Sequence, residues 1–299
     1  MGQPETAQKV PLTLIRHQGS MMATIGRIAW DAVIPGSRPE TNPQIFVDEQ
    51  VVIAAPPEKL VDHYASWSGS PGGYPLTLPS HMIAQWSIPL ATKVLRQTRY
   101  NLATIINQGV TLRINGVLPR GVPLHLGASI TNVEESEGKA RVSVSLTTGT
   151  ANEPTLIEAV LHSTFPLQHG PRPRKPHPTE EDDWRAIGQW QASKSDGFKF
   201  ASLTGDFNPI HWIGLAGRLS PFKTTVLQGF GMLARTFEVL NSVTPVDFLD
   251  VRFLKPVTLP SEPVTVQIEL ANTGHTRVRV VGTDARLHLA GKYGPAAVG

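Results

Sequence analysis

Two stretches of this chain repeat each other. Tyr64-Ala-Ser-Trp-Ser-Gly-Ser70 aligns with Phe200-Ala-Ser-Leu-Thr-Gly-Asp206 at a separation of 136 residues, and Leu112-Arg-Ile114 aligns with Val251-Arg-Phe253 at a separation of 139. Near-equal offsets at distant points are the mark of an internal duplication, so the chain is expected to fold as two copies of one unit. Its 299 residues, 40% of them apolar, suffice for each copy to bury a core.

The order of elements agrees with a duplication. In the first half, residues 78–95 read as a helix, followed by alternating strand-like runs at 108–118, 122–133, 139–148 and 155–165. In the second half, residues 227–240 read as a helix with Leu227, Phe230, Leu233, Ala234, Phe237 and Leu240 on one face, followed by runs at 247–255, 263–271, 276–283 and 285–291. An apolar helix followed by a meander, twice over, predicts a sheet wrapped around a helix in each half. Between them, residues 168–183 hold prolines 171, 173, 176 and 178 with a basic run and then an acidic one. That composition predicts a solvated linker, with Arg172, Arg174 and Lys175 as part of the tether. The expected division is 1–167, linker 168–183, and 184–299.

Composition narrows the chemistry. The chain has no cysteine, which removes disulfides and thiolate chemistry, and its ten histidines are scattered without metal-ligand spacing, so no metal site and no cofactor are expected. A net charge of +3 without a basic stripe argues against nucleic acid. No apolar run of membrane-spanning length occurs, and the start, MGQPETAQKV, lacks the pattern of a secretory signal, so a soluble cytoplasmic protein is expected.

Gly205-Asp-Phe-Asn-Pro-Ile-His211 places a carboxylate, an amide and an imidazole within six residues. It follows a short helical segment for which Ser195 is the expected cap. Proline restricts the residue before it to extended geometry, so the loop is stiff and can aim Asp206 and His211 at one place. A carboxylate and a neutral imidazole around one water are a common means of general acid–base catalysis. The plainer alternative is a hydrogen-bonded turn at Asp206 and Asn208. The first copy carries Ser70 and then Pro-Gly-Gly-Tyr-Pro at the matching place, so any chemistry belongs to the second copy.

Phe200 through His211, followed by Gln228-Gly-Phe-Gly-Met232, resembles the hydratase-2 motif of the MaoC-like dehydratases, also known as (R)-specific enoyl-CoA hydratases. The resemblance is specific over residues 196–256 and architectural elsewhere. It implies an α+β double hot-dog, two antiparallel sheets each wrapped around a long helix, with a degenerate first half and an active second half. It further implies a hydro-lyase that reversibly hydrates a trans-2-enoyl-CoA to the (R)-3-hydroxyacyl-CoA in fatty acid metabolism. By that resemblance Asp206 and His211 are the catalytic pair, the Gly229 amide binds the thioester carbonyl, and Asn208, Gln228 and Phe230 complete the substrate site. The family usually has histidine where this chain has Gln228, which can hydrogen-bond but cannot titrate.

The residues fit that chemistry. Hydrating a conjugated thioester needs a base for water, an acid for the α carbon and donors for an enolate-like oxygen, and the start of the second helix offers free N–H groups beside a glycine. The plainer alternative for Gly229 and Gly231 is close helix-to-sheet packing. Trp212 through Phe222 is an apolar stretch suited to an acyl chain or to plain packing. In the first half, Gly72-Gly73-Tyr74-Pro75 is expected to open the site to a longer acyl group, while Trp86 is expected in the core. Other readings are a dehydratase of acyl-carrier-protein substrates, a non-catalytic acyl-thioester binder suggested by Ser70 and Gln228, and a thioesterase. An acyl-CoA or acyl-carrier-protein thioester is the expected partner, no nucleic acid or membrane is, and a homodimer is among the expected assemblies.

Overall fold

The computed structural model describes residues 10–33, 45–167, 183–269 and 275–295. The expected linker lies outside the described residues except for Asp183. After a 3-10 turn at Leu12–His17, the first half contains α1 (Gly19–Val33), β1 (Glu49–Ile53), α2 (Glu58–Ser68), a 3-10 turn at Ser80–Ile83 running into α3 (Ala84–Leu95), and then β2 (Ile106–Ile114), β3 (Leu124–Ser136), β4 (Lys139–Gly149) and β5 (Ile157–Pro166). The second half contains β6 (Arg185–Trp190), α4 (Asp196–Thr204), α5 (Gly214–Leu219), α6 (Gly229–Asn241), β7 (Phe248–Phe253), β8 (Val264–Glu269), β9 (Thr276–Val281) and β10 (Leu287–Gly294).

The ten strands among the described residues form one antiparallel sheet in the order β1-β3-β4-β5-β2-β7-β10-β9-β8-β6. Read outward from the β2–β7 join, each half repeats the other, and each keeps its long helix, α3 or α6, against its own strands. This is the double hot-dog. The alternating strands carry apolar residues on the helix side, and α6 buries Phe230, Leu233, Ala234, Phe237 and Leu240. Each of the large ones contributes roughly 1.5–3 kcal/mol by leaving water.

The join records the duplication. β2 and β7 pair with Val110 opposite Val251, Thr111 opposite Asp250 and Leu112 opposite Leu249. The offset of 139 carries Thr111 onto Asp250, so these two repeat-mates face each other and mark the local two-fold axis. The Thr111 hydroxyl donates to Asp250 Oδ1 at 2.8 Å and stands 3.0 Å from His162 Nε2. An ionised carboxylate only accepts, so the hydroxyl proton goes to Asp250 and His162 donates to the hydroxyl oxygen. Joining the halves here covers one edge of each sheet and leaves β1 and β6 as the outer edges.

Four elements escape the sequence pattern. β1 and β6 are short edge strands with little alternation, α5 has only six residues, and α1 carries two glycines. Tertiary contacts hold α1 in place. Arg96 binds its Asp31 through two nitrogens, and Gln18 just before the helix donates to the Ser202 carbonyl of α4 at 3.2 Å. The expected first-half helix is a 3-10 turn followed by α3, because Pro79 sets an extended entry before Ser80.

Candidate active site

Two backbone bonds set equivalent points in the halves. Leu78 N–H donates to Leu118 O and Leu227 N–H to Val257 O, both at 2.8 Å. Pro79-Ser80-His81 thus corresponds to Gln228-Gly229-Phe230, and the loop opening with Gly205 corresponds to the one opening with Gly69. From the glycine to the leucine the first half needs nine residues and the second twenty-two. The thirteen extra residues carry His211 and α5.

In the second half α4 ends at Gly205, which is left-handed at φ 84°. Asp206 follows, half-buried. Its Oδ1 accepts the Asn208 N–H at 3.4 Å, and Asn208 Oδ1 in turn accepts from Ile210 N at 3.3 Å, capping the 3-10 turn Pro209–His211. The turn expected as the plainer alternative is therefore present, and it sets the backbone for both candidate residues. Asn208 is exposed and acts through this cap. His211 donates from Nδ1 to the Val226 carbonyl at 2.7 Å, which fixes the tautomer and leaves Nε2 as an acceptor. Among the described residues neither His211 Nε2 nor Asp206 Oδ2 has a protein partner.

Gln228 ties this loop to the helix. It is 2% exposed, and its Nε2 donates to Gly197 O at 3.0 Å and to Asp206 O at 3.3 Å. Its Oε1 is buried without a partner among the described residues. The amide thus holds the main chain of Asp206 against α4 and the start of α6. The first N–H groups of α6, at Gly229 and Phe230, have no intrahelical acceptor, and the helix dipole adds to their pull on an anionic oxygen.

Some expectations change. The Phe230 side chain is 6% exposed and packs edge-on to Phe253 at 6.0 Å, so it belongs to the core. A Cβ on Gly229 would lie 2.7 Å from the Phe253 ring, so close packing accounts for the glycine. Ser195 makes no capping bond; Asp196, the first residue of α4, instead accepts the Ser193 N–H at 2.7 Å and so ties down the segment ahead of the helix. Leu215, Leu219 and Phe222 are 66%, 78% and 43% exposed, because this segment loops outward instead of walling a pocket. Sequence reasoning missed Gly197. A Cβ there would lie 1.9 Å from His211 O, so only glycine allows the loop to settle on α4.

The loop equivalent in the first half is closed. Tyr74 donates to Glu238 Oε1 at 3.0 Å, and the fully buried His81 meets the same oxygen at 2.8 Å through Nε2. Tyr64, also fully buried, donates to the His81 carbonyl at 3.0 Å. Burial, with the charge of Glu238 and then Tyr74, pushes the Tyr64 phenol well up, so it stays protonated. Side chains thus occupy the place where the first copy would open. The room lies elsewhere, in a cavity of about 660 Å³ bounded by α1, α3 and β1 and lined by Trp86, Pro89, Leu90, Val51, Ile53 and Ala23. Trp86 is in the core as expected, with its Nε1 donating to Thr148 at 3.2 Å, and it also borders this cavity. The cavity reaches His17 and Gln85. Gln85 donates to Gln18 at 3.4 Å, and Met21 packs on Gly205, the residue before Asp206.

Among the described residues no three His, Asp or Glu side chains converge as metal ligands, and no helix is long and apolar enough to cross a membrane. No curated protein sequence matches the chain. Solved structures share its fold: HtdX of Mycobacterium tuberculosis at 17% identity and TM-score 0.66, over 82% of this chain and 99% of that one, and a MaoC-like dehydratase from Phytophthora capsici at 15% and 0.70, over 86% and 98%. A conserved protein of M. tuberculosis described as a double hot-dog aligns at 12% and 0.50, over 82% and 95%. The family described as MaoC like domain matches residues 166–289, which take in β6 through the start of β10 and every candidate residue above. The second half of this double hot-dog chain carries the match to a MaoC-like domain.

Proposed function

We propose that the protein is a hydro-lyase that reversibly hydrates trans-2-enoyl-CoA to (R)-3-hydroxyacyl-CoA in fatty acid metabolism. The observation that carries this reading is a pair of hydrogen bonds, Gln228 Nε2 to Asp206 O and His211 Nδ1 to Val226 O. They fasten both candidate groups to the residues that open α6 and leave Asp206 Oδ2 and His211 Nε2 as acceptors for the two protons of one water.

In the proposed step the water oxygen bonds C3 of the enoyl group as Asp206 takes a proton. The π electrons move to the thioester oxygen, which accepts from the Gly229 N–H at the positive end of α6. The proton then passes to C2, and Asp206 returns to the carboxylate. Water is added across the double bond with nothing oxidised or reduced. His211 holds the water without changing its own tautomer. The closed pocket of Tyr74, His81 and Glu238 takes no part. The division at residues 168–183, a cytoplasmic location and a homodimer complete this reading.

Assay of crotonyl-CoA and longer trans-2-enoyl-CoAs, with chiral analysis of the product, tests it. Consumption of the enoyl form with an (R) product is expected. An (S) product would overturn the assigned geometry, and absence of turnover would leave an acyl-thioester binder.

A further inference from the structure

The turn that presents Asp206 is gripped by a segment from the far end of the sequence. A Cβ on Gly205 would lie 2.5 Å from Met21 Cβ, 2.8 Å from its Cγ and 3.2 Å from Gln18 Cβ, so this segment rests directly on the left-handed residue from which Asp206 departs. Gln18 and Met21 are both buried. The Gln18 amide is held at each end: its Nε2 donates to the Ser202 carbonyl in the last turn of α4 at 3.2 Å, and its Oε1 accepts from Gln85 of α3 at 3.4 Å. Asp31, farther along α1, is bound by Arg96 just past α3. The segment is thus braced on the long helix of the first half and bears on the candidate loop of the second.

The duplication shows why the second half needs this brace. In the first half the equivalent glycine, Gly69, meets the other half's long helix at Glu238, whose Cβ would lie 3.9 Å from an added Cβ. Glu238 then accepts from Ser68 at 3.4 Å and from Tyr74 at 3.0 Å, which ties that loop down. Since Leu78 corresponds to Leu227, Glu238 corresponds to Pro89 of α3, whose side chain can accept nothing. Gln18 and Met21 stand at Gly205 instead. We propose that Gln18 and Met21 are positioning residues, which fix the Gly205 turn and through it the direction of the Asp206 carboxylate. The inference rests on the acid–base role proposed above for Asp206 and adds the residues that aim it. Both act through the backbone, so their loss falls on kcat and spares KM; a catalytic group misplaced by about 1 Å can lose about 100-fold in rate.

The test uses the full chain with crotonyl-CoA and compares wild type with Gln18→Ala, Met21→Ala and the conservative Met21→Leu, each alone and combined with Asp206→Asn, with rates taken per folded molecule. The expected result is a kcat lowered about tenfold or more by either alanine, a KM changed less than about twofold, and Met21→Leu close to wild type. Either alanine added to Asp206→Asn should cost almost nothing further, because the group being aimed is already gone. A loss that persists undiminished on the Asp206→Asn background would place the effect in the fold at large and overturn the proposal. So would an unchanged kcat in both alanine variants. Amide hydrogen exchange gives a reading that needs no turnover: exchange over residues 205–211 should quicken about tenfold in both alanine variants while that of β2 and β7 stays as in wild type. If no enoyl thioester is turned over, the proposed reaction falls, and exchange alone decides the brace; faster exchange confined to the loop upholds it, and unchanged exchange overturns it.

Discussion

The imidazole of His211 donates from Nδ1 to the Val226 carbonyl at 2.7 Å, two residues before Gln228, whose amide donates back to the Asp206 carbonyl at 3.3 Å. The two proposed catalytic residues are thereby held by the segment that enters α6. Because His211 spends Nδ1 on the backbone, only Nε2 is left for water. Asp206→Asn and His211→Ala are each expected to lower kcat by about 100-fold or more with the melting temperature little changed. The double variant should be hardly worse than the poorer single one, since either change disables the shared water. Multiplying losses would mean two independent groups. Ser70→Ala should leave the rate unchanged.

Gln228 lies at the centre of this arrangement while contributing no titrating group. Gln228→Ala leaves the buried Gly197 and Asp206 carbonyls without their donor, at a cost of about 1–3 kcal/mol. Gln228→Glu places carboxylate oxygens against two carbonyls and should cost more. Gln228→His keeps a donor and removes the orphaned Oε1, so it should fold and retain most activity. Denaturant unfolding with steady-state rates on all three checks this. A Gln228→Ala enzyme of undiminished stability would remove the positioning role.

The Tyr74, His81 and Glu238 cluster is assigned to stability. Glu238→Ala strips the acceptor from both Tyr74 and the fully buried His81, so a loss of about 1–3 kcal/mol is expected. Activity per folded molecule should be unchanged. A fall in kcat comparable to that of Asp206→Asn would show that the first half takes part in the chemistry.

The duplication, the two long helices and eight of the ten strands were legible because periodicity and offsets are local properties of sequence. So was the Asp206–His211 loop, whose proline and turn residues declare a rigid bend. The closing of the first-half pocket was not, since His81 and Glu238 stand 157 residues apart and meet only after the sheets join. Gly197 gave no signal either: its role is the space it leaves for His211 O. Nor did the outward course of the α5 loop, where leucines suited to a pocket wall face solvent.

Acid should weaken the fold in two stages. Burial holds the His162 imidazole below its usual range, with Arg252 adding to the effect. The Asp250 carboxyl is also held low, because the Thr111 hydroxyl and Arg252 outweigh the effect of burial. At Asp196 burial is likewise outweighed, by Arg235, the Ser193 N–H and Lys199. In all three the folded chain binds protons less readily than the unfolded chain, so stability falls as pH falls. The His162 contribution is complete above about pH 6.5 and the carboxylate contributions above about pH 4, and each is lost as pH drops through the folded value. Melting temperature against pH should decline through both windows. Asp196→Asn should flatten the acid limb while lowering stability at neutral pH, where it leaves Arg235 uncompensated. An unchanged acid limb would contradict the assignment.

Hydration in heavy-oxygen water tests the proposed reaction most directly. With crotonyl-CoA as substrate, the enoyl absorbance should disappear and one labelled oxygen should appear at C3 of an (R)-3-hydroxybutyryl thioester, with Asp206→Asn slowing both signals by about 100-fold or more. Label in a released carboxylate would indicate thioester hydrolysis, and an unlabelled, unconsumed substrate would indicate binding alone; either would contradict a hydro-lyase.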